Sequence, residues 1–499
     1  MSQISDLIFE TRVAAESLAD FIAGGRLRLG VTGLSRAGKT VFITALVNQL
    51  TRAVAAGQGR GTPLPVFKLL SEGRLTAAHL DPQPDYSVPR FAYEEHLESL
   101  TGRDRHWPQS TRRISELRVS LEFTRKKNTK LIKGLRPSPP HIDIDIVDYP
   151  GEWLLDLPLL EKTYAQWSRE TIEMASAAAR APIAAEWRGM MAGVDLSARY
   201  QEEIAQKLSR LFTQYLRAAK SERFALSTLP PGRFLMPGDM EGSPALTFSP
   251  LPVTEGQEFP ARTLAHEMER RYEAYKLHVV RPFFRDHFAR LDRQIVLVDT
   301  LAALNSGPAA VRDLETALSE VLMAFRAGRS TFLSQIFKPK IDRILFAATK
   351  ADHLHHTSHD RLEAALRLVT KRAIKRAEGV GAKIDVIAMA AVRATREAVV
   401  RHEGEKLSAI VGTPAAGERI GDEEFDGVVE GAIFPGELPA DPRDLLRGEA
   451  LALDHDEADF RFLKFRPPIA QLGRDGEPLP LPHIRLDRAM EFLLGDHVA

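Results

Sequence analysis

The sequence predicts an α/β fold built on a mostly parallel β-sheet. Apolar runs at 293–304, 343–352 and 382–392 are typical of strands that are buried on both faces. Segments with helical periodicity at 308–326 and 359–378 separate these runs. Strands that alternate with helices in this way indicate a parallel sheet covered by helices on both sides.

The N-terminal half adds further strands to this sheet. Leu27, Leu29 and Val31 mark a first strand, and an apolar helical stripe follows at 41–57. The segments 114–123 and 141–151 alternate apolar and polar residues, which predicts two more strands. Residues 58–110 are rich in glycine, proline and polar residues, and we expect them to form a long loop region.

Changes in the sequence pattern along the chain predict its division into domains. Residues 1–25 have the pattern of an amphipathic helix. Three segments within 157–290 have helical periodicity, and a proline- and glycine-rich loop separates the second from the third. We therefore expect an α/β domain in two parts, 26–156 and 291–411, with a large α-helical insertion between them. Residues 412–499 are predicted to form a C-terminal α+β extension that packs on this domain.

The composition excludes several classes of site. The 499 residues include no cysteine, which excludes disulfides, iron–sulfur clusters and thiolate zinc sites. Lys plus Arg equals Asp plus Glu at 67 each, so net charge gives no indication of nucleic-acid binding. The N-terminus lacks the pattern of a secretory signal, and no apolar stretch approaches the ~18 residues of a spanning helix. We expect a cytoplasmic protein, with peripheral contact at the inner membrane as an alternative.

The segment "GLSRAGKT" predicts a phosphate-binding loop. Gly33, Gly38, Lys39 and Thr40 have the spacing of such a loop, with a predicted strand before it and a predicted helix after it. Backbone amides and the helix N-terminus would surround the phosphates, Lys39 would reach the β- and γ-phosphates, and Thr40 would bind Mg²⁺. The predicted nucleotide contacts within the loop are Ser35, Arg36 and Ala37. For Arg36, a solvated position at the loop tip is the alternative.

The segment "DYPGE" predicts the remaining parts of a hydrolytic site. Asp148 ends a strand and can serve as a metal ligand, and the amide of Gly151 can approach a γ-phosphate. Glu152 can orient or polarise the attacking water, with a solvent-facing position as the alternative. Asp299 competes with Asp148, although we expect it to cap the following helix. Thr111 is the predicted third metal ligand, and its rivals are Ser110 and Thr101.

The segment "ATKAD" indicates the base that is bound. Thr349, Lys350 and Asp352 match a [N/T]-K-x-D pattern at the end of a strand. The Asp352 carboxylate can accept hydrogen bonds from the N1–H and amino groups of guanine, whereas adenine has neither donor. Helix capping is the alternative for Asp352. The backbone amides of Ala390 and Ala391 are predicted to meet the guanine carbonyl.

Two further clusters are open to interpretation. The segment "HLHHTSH" at 353–359 is compatible with a metal site, but a solvated loop that covers the nucleotide is the plainer interpretation. The basic segment Arg125–Arg136 can contact anionic lipid or an acidic partner, with a solvated turn as the alternative. We find no aromatic platform for nucleic acid.

The chain resembles the YcjX-like family of bacterial P-loop GTPases. The resemblance rests on "VTGLSRAGKTVFITALVNQL", "DIVDYPGEWLLDLPLL", "RQIVLVDTLAALNSG", "FAATKADHLHH" and "PHIRLDRAMEFLLGD". It implies a Ras-like domain with large insertions, GTP or GDP with Mg²⁺ as ligands, and a role in envelope or phage-shock stress. It also implies a small membrane protein of the YcjF type as a partner.

We therefore expect a GTPase of slow turnover that acts as a nucleotide-controlled switch. Its loops at 58–113 and 148–156 are expected to rearrange against the helical insertion. A nucleotide-regulated adaptor with negligible turnover is one alternative, and an ATPase is the other.

Overall fold

A computed structural model describes residues 25–33, 36–56, 63–124, 140–323, 341–379, 381–402, 404–420, 422–447, 460, 462–473, 476 and 478–498. The N-terminal segment 1–24, Ser35 and the basic segment Arg125–Arg136 lie outside these residues, so the predictions made for them stay predictions. None of the helices in the described ranges is both long enough and apolar enough to cross a membrane.

A seven-stranded sheet in the order β2-β3-β4-β1-β5-β6-β7 forms the centre of the molecule. Its strands are β1 (Arg26–Gly33), β2 (Leu75–Asp81), β3 (Ser115–Phe123), β4 (His141–Asp148), β5 (Arg293–Val298), β6 (Arg343–Ala348) and β7 (Lys383–Ala388). Strands β4, β1, β5, β6 and β7 are parallel neighbours, while β3 pairs antiparallel with β4 and with β2. The predicted α/β fold with a mostly parallel sheet is confirmed.

The prediction of a long loop over residues 58–110 is wrong. This segment contains the edge strand β2 and two helices, α2 (Lys68–Ser71) and α3 (Tyr93–Thr101). Strand β2 has intermediate or exposed residues along its length and no clean apolar alternation. It is a strand because it pairs with β3, and a window of local sequence does not reveal that pairing.

Helices cover both faces of the sheet. The remaining helices are α1 (Lys39–Ala56), α4 (Tyr164–Ala175), α5 (Ala185–Ala192), α6 (Glu202–Lys220), α7 (Gly232–Leu235), α8 (Leu264–Tyr275), α9 (Arg281–Asp286), α10 (Thr300–Asn305), α11 (Pro308–Met323), α12 (His359–Glu378) and α13 (Leu486–Leu494). A 3-10 helix at Gly151–Glu161 follows β4.

Alternate residues of each central strand point into two separate hydrophobic cores, as the period of a β-strand requires. Ile295 and Leu297 of β5 pack in one core with α1 and the C-terminal helix α13. Val296 and Val298 pack in the other core with α11, α12 and the helices between β4 and β5. Those helices therefore share a core with the sheet, and the proposed division into domains stays a prediction.

Small sheets follow β7 in the chain. Strands β8 (Arg396–His402), β9 (Glu405–Gly412) and β12 (Gly431–Ile433) form a three-stranded antiparallel sheet. Strands β10 (Arg419–Ile420) and β11 (Glu423–Glu424) form a two-stranded ribbon.

The sheet topology indicates which edge of the sheet is expected to bind a ligand. Strands β2–β4 lie on one side of β1 and strands β5–β7 lie on the other, so the strand order reverses beside β1. In open α/β sheets, ligands bind outside the carboxyl ends of the strands at such a point. The registers align Val31 with Asp148 and Ala348 with Ala388, so the segments that follow these strands meet at this edge.

Candidate nucleotide-binding site

The phosphate loop connects β1 to α1. Gly33 lies so close to β5 that a Cβ atom would come within 2.9 Å of the Leu297 carbonyl oxygen. Gly38 has a φ of 79°, in the left-handed region that favours glycine. The Lys39 Nζ donates to the Gly33 carbonyl at 3.4 Å, so the lysine folds back over the loop. Glycines at these two positions suit the phosphate binding that is predicted at the α1 N-terminus.

The three predicted metal ligands lie together. The Thr111 Oγ1 donates to the Asp148 Oδ2 at 2.6 Å, and the Thr111 and Thr40 hydroxyl oxygens are 3.3 Å apart. Among the described residues, the buried Asp148 Oδ1 has no hydrogen-bond partner. The rival Thr101 instead donates its hydroxyl to the Leu97 carbonyl at 2.8 Å. Carboxylate and hydroxyl oxygens are ligands that suit Mg²⁺, so the residues present fit this ion.

The Asp148 carboxyl group is fully enclosed. Burial raises the pKa of Asp148 to about 6, although the charge of Lys39 and the hydrogen bond from Thr111 act in the opposite direction. A cation beside the unpartnered oxygen would favour the ionised form.

Lys350 and Asp352 follow β6 in an unusual local conformation. Lys350 has a φ of 60°, and its Nζ forms an ion pair with Asp299 at 2.5 Å. The side chain of Asp299 also accepts from the Ala302 amide at the start of α10. The expected capping role of Asp299 is confirmed, and its contact with Lys350 is an addition that sequence reasoning missed.

Asp352 connects residues 349–354, named the base-side segment after the predicted contact with the base, to the loop after β7. Its Oδ2 accepts the Ala394 amide at 2.8 Å, and its backbone carbonyl accepts the Thr395 hydroxyl. A carboxylate oxygen can accept more than one hydrogen bond, so this contact leaves capacity for a ligand. The Thr349 hydroxyl donates to the Val298 carbonyl at 3.3 Å, which joins the end of β6 to the end of β5.

The prediction for the Ala390 amide is wrong in one respect. This amide donates to the Ile484 carbonyl at 3.1 Å, and the Ile484 amide donates back to the Ala390 carbonyl. A segment close to the C-terminus thus uses the donor that was predicted for guanine. The Ala391 amide stays the predicted contact.

A single cavity of about 390 Å³ brings most of these residues together. Its lining includes Arg36, Ala37, Gly38, Lys39, Thr40, Ser110, Thr111, Thr349, Lys350, Asp352, Ala390 and Ala391. Four separate segments of the chain contribute to this list. A volume of a few hundred Å³ is typical of small-molecule sites.

Sequence reasoning missed the aromatic residues of this cavity. Trp107 and Phe465 line it, and the Trp107 indole N–H donates to the Phe465 carbonyl. The His353 ring also lines the cavity and meets the Phe465 ring edge-on, with centroids 5.4 Å apart. Trp107 lies four residues before Thr111, so its position in the sequence could have indicated a place near the site. Phe465 is distant in sequence from every predicted motif, so nothing local indicated its position.

The interpretation of 353–359 as a solvated loop is also wrong. His353, His355 and His359 are buried, and burial lowers the pKa of both His353 and His359. The His359 ring contacts the carbonyl of Ala351, while the exposed His356 pairs with Glu397 at 2.7 Å. These histidines therefore help to hold the base-side segment.

Glu152 is buried and paired, so its predicted solvent-facing alternative is wrong. Its Oε1 lies 2.6 Å from the Nζ of Lys220, at the last residue of α6. Burial by itself raises the pKa of Glu152, but the charges of Lys220 and Lys39 hold that pKa below its ordinary value. The carboxylate is therefore ionised. Gly151, which precedes it, begins the 3-10 helix and is buried.

Arg36 does not extend freely into solvent at the loop tip. Its guanidinium forms an ion pair with Glu222 at 3.1 Å, and both side chains are about half exposed. This contact joins the phosphate loop to the residues just after α6.

Comparison with known proteins identifies the family. The sequence model of the YcjX-like family, DUF463, matches residues 27–498. The chain belongs to the YcjX-like family. It is 40% identical over 479 residues to the "Ras-like GTPase YcjX" of Escherichia coli K12, with 94% of this chain and 95% of that protein covered. It is 34% identical over 494 residues to the "Ras-like GTPase YcjX" of Shewanella oneidensis, with 97% and 96% covered.

Proposed function

We propose that this member of the YcjX-like family binds GTP and hydrolyses it to GDP and phosphate. One observation carries the proposal: the phosphate loop, Thr111 and the TKAD segment line the same cavity. The names of the two relatives, each a "Ras-like GTPase YcjX", support the same activity.

In this proposal the phosphate end of the cavity performs the chemistry. Water attacks the γ-phosphorus in line, the bond to the β–γ bridging oxygen breaks, and GDP leaves. Lys39 and the loop amides stabilise the charge on the phosphoryl oxygens, and the Gly151 amide approaches the γ-phosphate. Thr40, Thr111 and Asp148 would hold Mg²⁺, which supplies further charge stabilisation when bound. Glu152 orients the attacking water and accepts the proton that the water loses.

The base end of the cavity provides selectivity. The Asp352 carboxylate accepts the two N–H donors of guanine, and the Lys350 stem lies along the base. With adenine bound, the same carboxylate would be left without those donors, which is costly in an enclosed site.

A titration of the full chain with fluorescent GDP and fluorescent ADP, each with Mg²⁺, tests this selectivity. We expect GDP to bind at least about 100-fold more tightly, because a site built to pair with a donor rejects ligands that lack it. Similar affinities would refute the guanine pocket and favour the ATPase alternative.

Phosphate release separates the enzyme from a nucleotide-regulated adaptor. We expect slow but measurable turnover of GTP by the wild-type chain and a large loss in Glu152→Gln, because the amide cannot accept a proton from water. Equal rates at the buffer background for both chains would favour the adaptor.

The finer parts of the proposal rest on the family resemblance. They are a switch role in an envelope or stress process, a cytoplasmic location and a membrane-protein partner of the YcjF type. Peripheral membrane contact through Arg125–Arg136 rests on the charge of that segment. A liposome pull-down with those basic residues neutralised tests it, and unchanged binding would contradict it.

A further inference from the structure

The end of helix α6 contacts both segments that face the phosphate end of the site. Lys220, the last residue of α6, pairs with Glu152 just after the DYPG segment. Glu222, two residues further on, pairs with Arg36 of the phosphate loop and also with Lys464 at 2.6 Å. One short stretch between β4 and β5 thus reaches two parts of the proposed hydrolytic site.

The two contacts differ in strength. The Arg36 and Glu222 side chains are 45% and 54% exposed, so solvent and salt screen this pair and it contributes little. The Lys220 and Glu152 side chains are only 21% and 7% exposed. Removing one partner of such an enclosed pair leaves the other charge without compensation. The Lys220–Glu152 contact is therefore the one with consequences for Glu152.

The backbone of Glu152 is held from the same side. A Cβ atom on Gly232 would come within 1.8 Å of the Glu152 carbonyl oxygen, so the α7 backbone lies directly against it. The next residue, Trp153, donates its indole N–H to the Met236 carbonyl at 2.8 Å, and the Arg233 guanidinium lies 3.2 Å from the Trp153 ring centroid. Residues 232–236 thus fix the main chain, and within the described part of the chain the hydrogen bond to the Glu152 carboxylate comes from Lys220.

Glu152 and Lys220 also face open space. Both line a second cavity of about 420 Å³. This cavity shares five lining residues with the 390 Å³ cavity described above, which we name the nucleotide cavity: Arg36, Glu222, Lys350, His353 and Lys464. The ion pair therefore lies beside the phosphate loop, where the attacking water is expected.

We propose that Lys220 is a positioning residue for GTP hydrolysis. It holds the Glu152 carboxylate in the direction that the attacking water requires, and it does so from outside the phosphate loop and the strand ends. The inference rests on the proposed function. It means that turnover depends on the contact between the end of α6 and the DYPGE segment, whereas nucleotide binding does not.

The experiment measures kcat, KM and fluorescent-GDP affinity for the full chain and five variants. Lys220→Met removes the charge and keeps the length of the side chain, whereas Lys220→Arg keeps the charge. Glu152→Gln and the double variant Lys220→Met/Glu152→Gln measure the coupling between the two residues. Lys207→Met, at an exposed position of the same helix, is the matched control.

We expect Lys220→Met to lower kcat about 10- to 100-fold with KM and GDP affinity within about twofold of wild type, since the lost contact acts on the chemical step. Lys220→Arg should recover most of the activity, Lys207→Met should behave as wild type, and the double variant should be no slower than Glu152→Gln alone. Thermal unfolding by circular dichroism checks that each variant folds, and Lys220→Gln replaces Lys220→Met if the latter does not.

Wild-type kcat in Lys220→Met would overturn the inference and leave the proposed GTPase intact. Fully additive losses in the double variant would also overturn it, because independent residues do not share one task. A faster Lys220→Met would mean that the lysine restrains Glu152, which contradicts positioning. A wild-type chain without turnover would refute the hydrolase itself, and the inference with it.

Discussion

At the scale of single residues, Asp352 has a structural contact in addition to its proposed role in base recognition. Its Oδ2 accepts the Ala394 amide, while the carboxylate lines the nucleotide cavity. The left-handed Lys350 two residues earlier is held by its ion pair with Asp299. A non-glycine residue in this conformation costs about 1 kcal/mol or more and persists where its surroundings determine it. The base-side segment is therefore held by contacts within the protein.

The substitution Asp352→Asn should change the preferred base from guanine to xanthine. An asparagine oxygen can still accept the Ala394 amide, while its NH₂ group donates to the 2-carbonyl of xanthine and cannot accept from guanine. We expect GDP affinity to fall by at least about 100-fold and xanthosine diphosphate to bind more tightly than GDP. Competition against a fluorescent nucleotide measures both affinities, and an unchanged preference for GDP would exclude Asp352 from base recognition.

At the scale of secondary-structure elements, the 3-10 helix after the DYPG segment is a buried element. Every residue from Gly151 to Leu159 is buried, and the helix packs against α7 and the helices that follow it. Asp156 on this helix accepts hydrogen bonds from the Gly232 amide and the Tyr275 hydroxyl, both at 2.6 Å. Any rearrangement of this segment with the nucleotide must therefore displace part of the helical layer, so the change has to involve elements as well as loops.

The Asp156 carboxyl group should make the unfolding free energy depend on pH. Burial raises the pKa of Asp156 to about 7, even though the hydrogen bonds from Tyr275 and Gly232 lower it. Because the pKa is raised in the folded state, the protonated form favours folding below pH ~4, and this contribution is lost as pH rises to ~7. The unfolding free energy lost over this pH range is of the order of 4 kcal/mol.

Urea unfolding of wild type and Asp156→Asn at intervals between pH 5 and pH 8 tests this dependence. The difference in unfolding free energy between the two proteins should shift in favour of the variant as pH rises, and it should level off above pH ~7. Taking the difference cancels the titration of the buried histidines. A difference that stays constant over this range would contradict the raised pKa.

The contact between α7 and the 3-10 helix should tolerate no side chain at Gly232. The Cβ of Gly232→Ala would come within 1.8 Å of the Glu152 carbonyl, and neither backbone can move without disturbing the core. We expect a loss of about 3 kcal/mol or more in unfolding free energy. Gly189→Ala is the control, because Gly189 lies in α5 with no atom of the described residues within 4 Å of the added atom, and alanine there should stabilise by up to about 1 kcal/mol. Equal stability of the two variants in urea unfolding would refute the close packing.

At the scale of the whole molecule, described residues of the C-terminal part contribute to a core of the sheet and to the lining of the cavity. Helix α13 packs in the same core as β1 and α1, and Arg74 donates to the Val498 carbonyl at 2.6 Å. Phe465 lines the nucleotide cavity, and the Ile484 carbonyl holds the Ala390 amide. Ligand binding and the stability of the C-terminal segment should therefore be linked.

Truncation of Leu493 measures how much the core depends on α13. Leu493 is 2% exposed, and we expect Leu493→Ala to lower the unfolding free energy by about 2–5 kcal/mol. Leu472→Ala is the control, since Leu472 is 64% exposed and should lose about 0.5 kcal/mol or less. If urea unfolding gave the same small loss for both, α13 would not be part of the cooperative core.

The sequence by itself determined the features that depend on neighbouring residues. The phosphate loop, the strand-end Asp148 and the TKAD segment can be located from short motifs, and the buried parallel strands β5–β7 from uninterrupted apolar runs. The topology then requires the ends of these strands to meet, so the general place of the site follows as well.

Only the tertiary structure decided the features that depend on distant residues. The edge strand β2 exists because β3 pairs with it, and Glu152 is enclosed because Lys220, 68 residues away, reaches it. The Ala390 amide donates its hydrogen bond to the Ile484 carbonyl, and no local sequence pattern indicates this contact. Burial, ion pairing and hydrogen-bond satisfaction are set by which segments pack together, and a window of sequence carries no information about its partner in space.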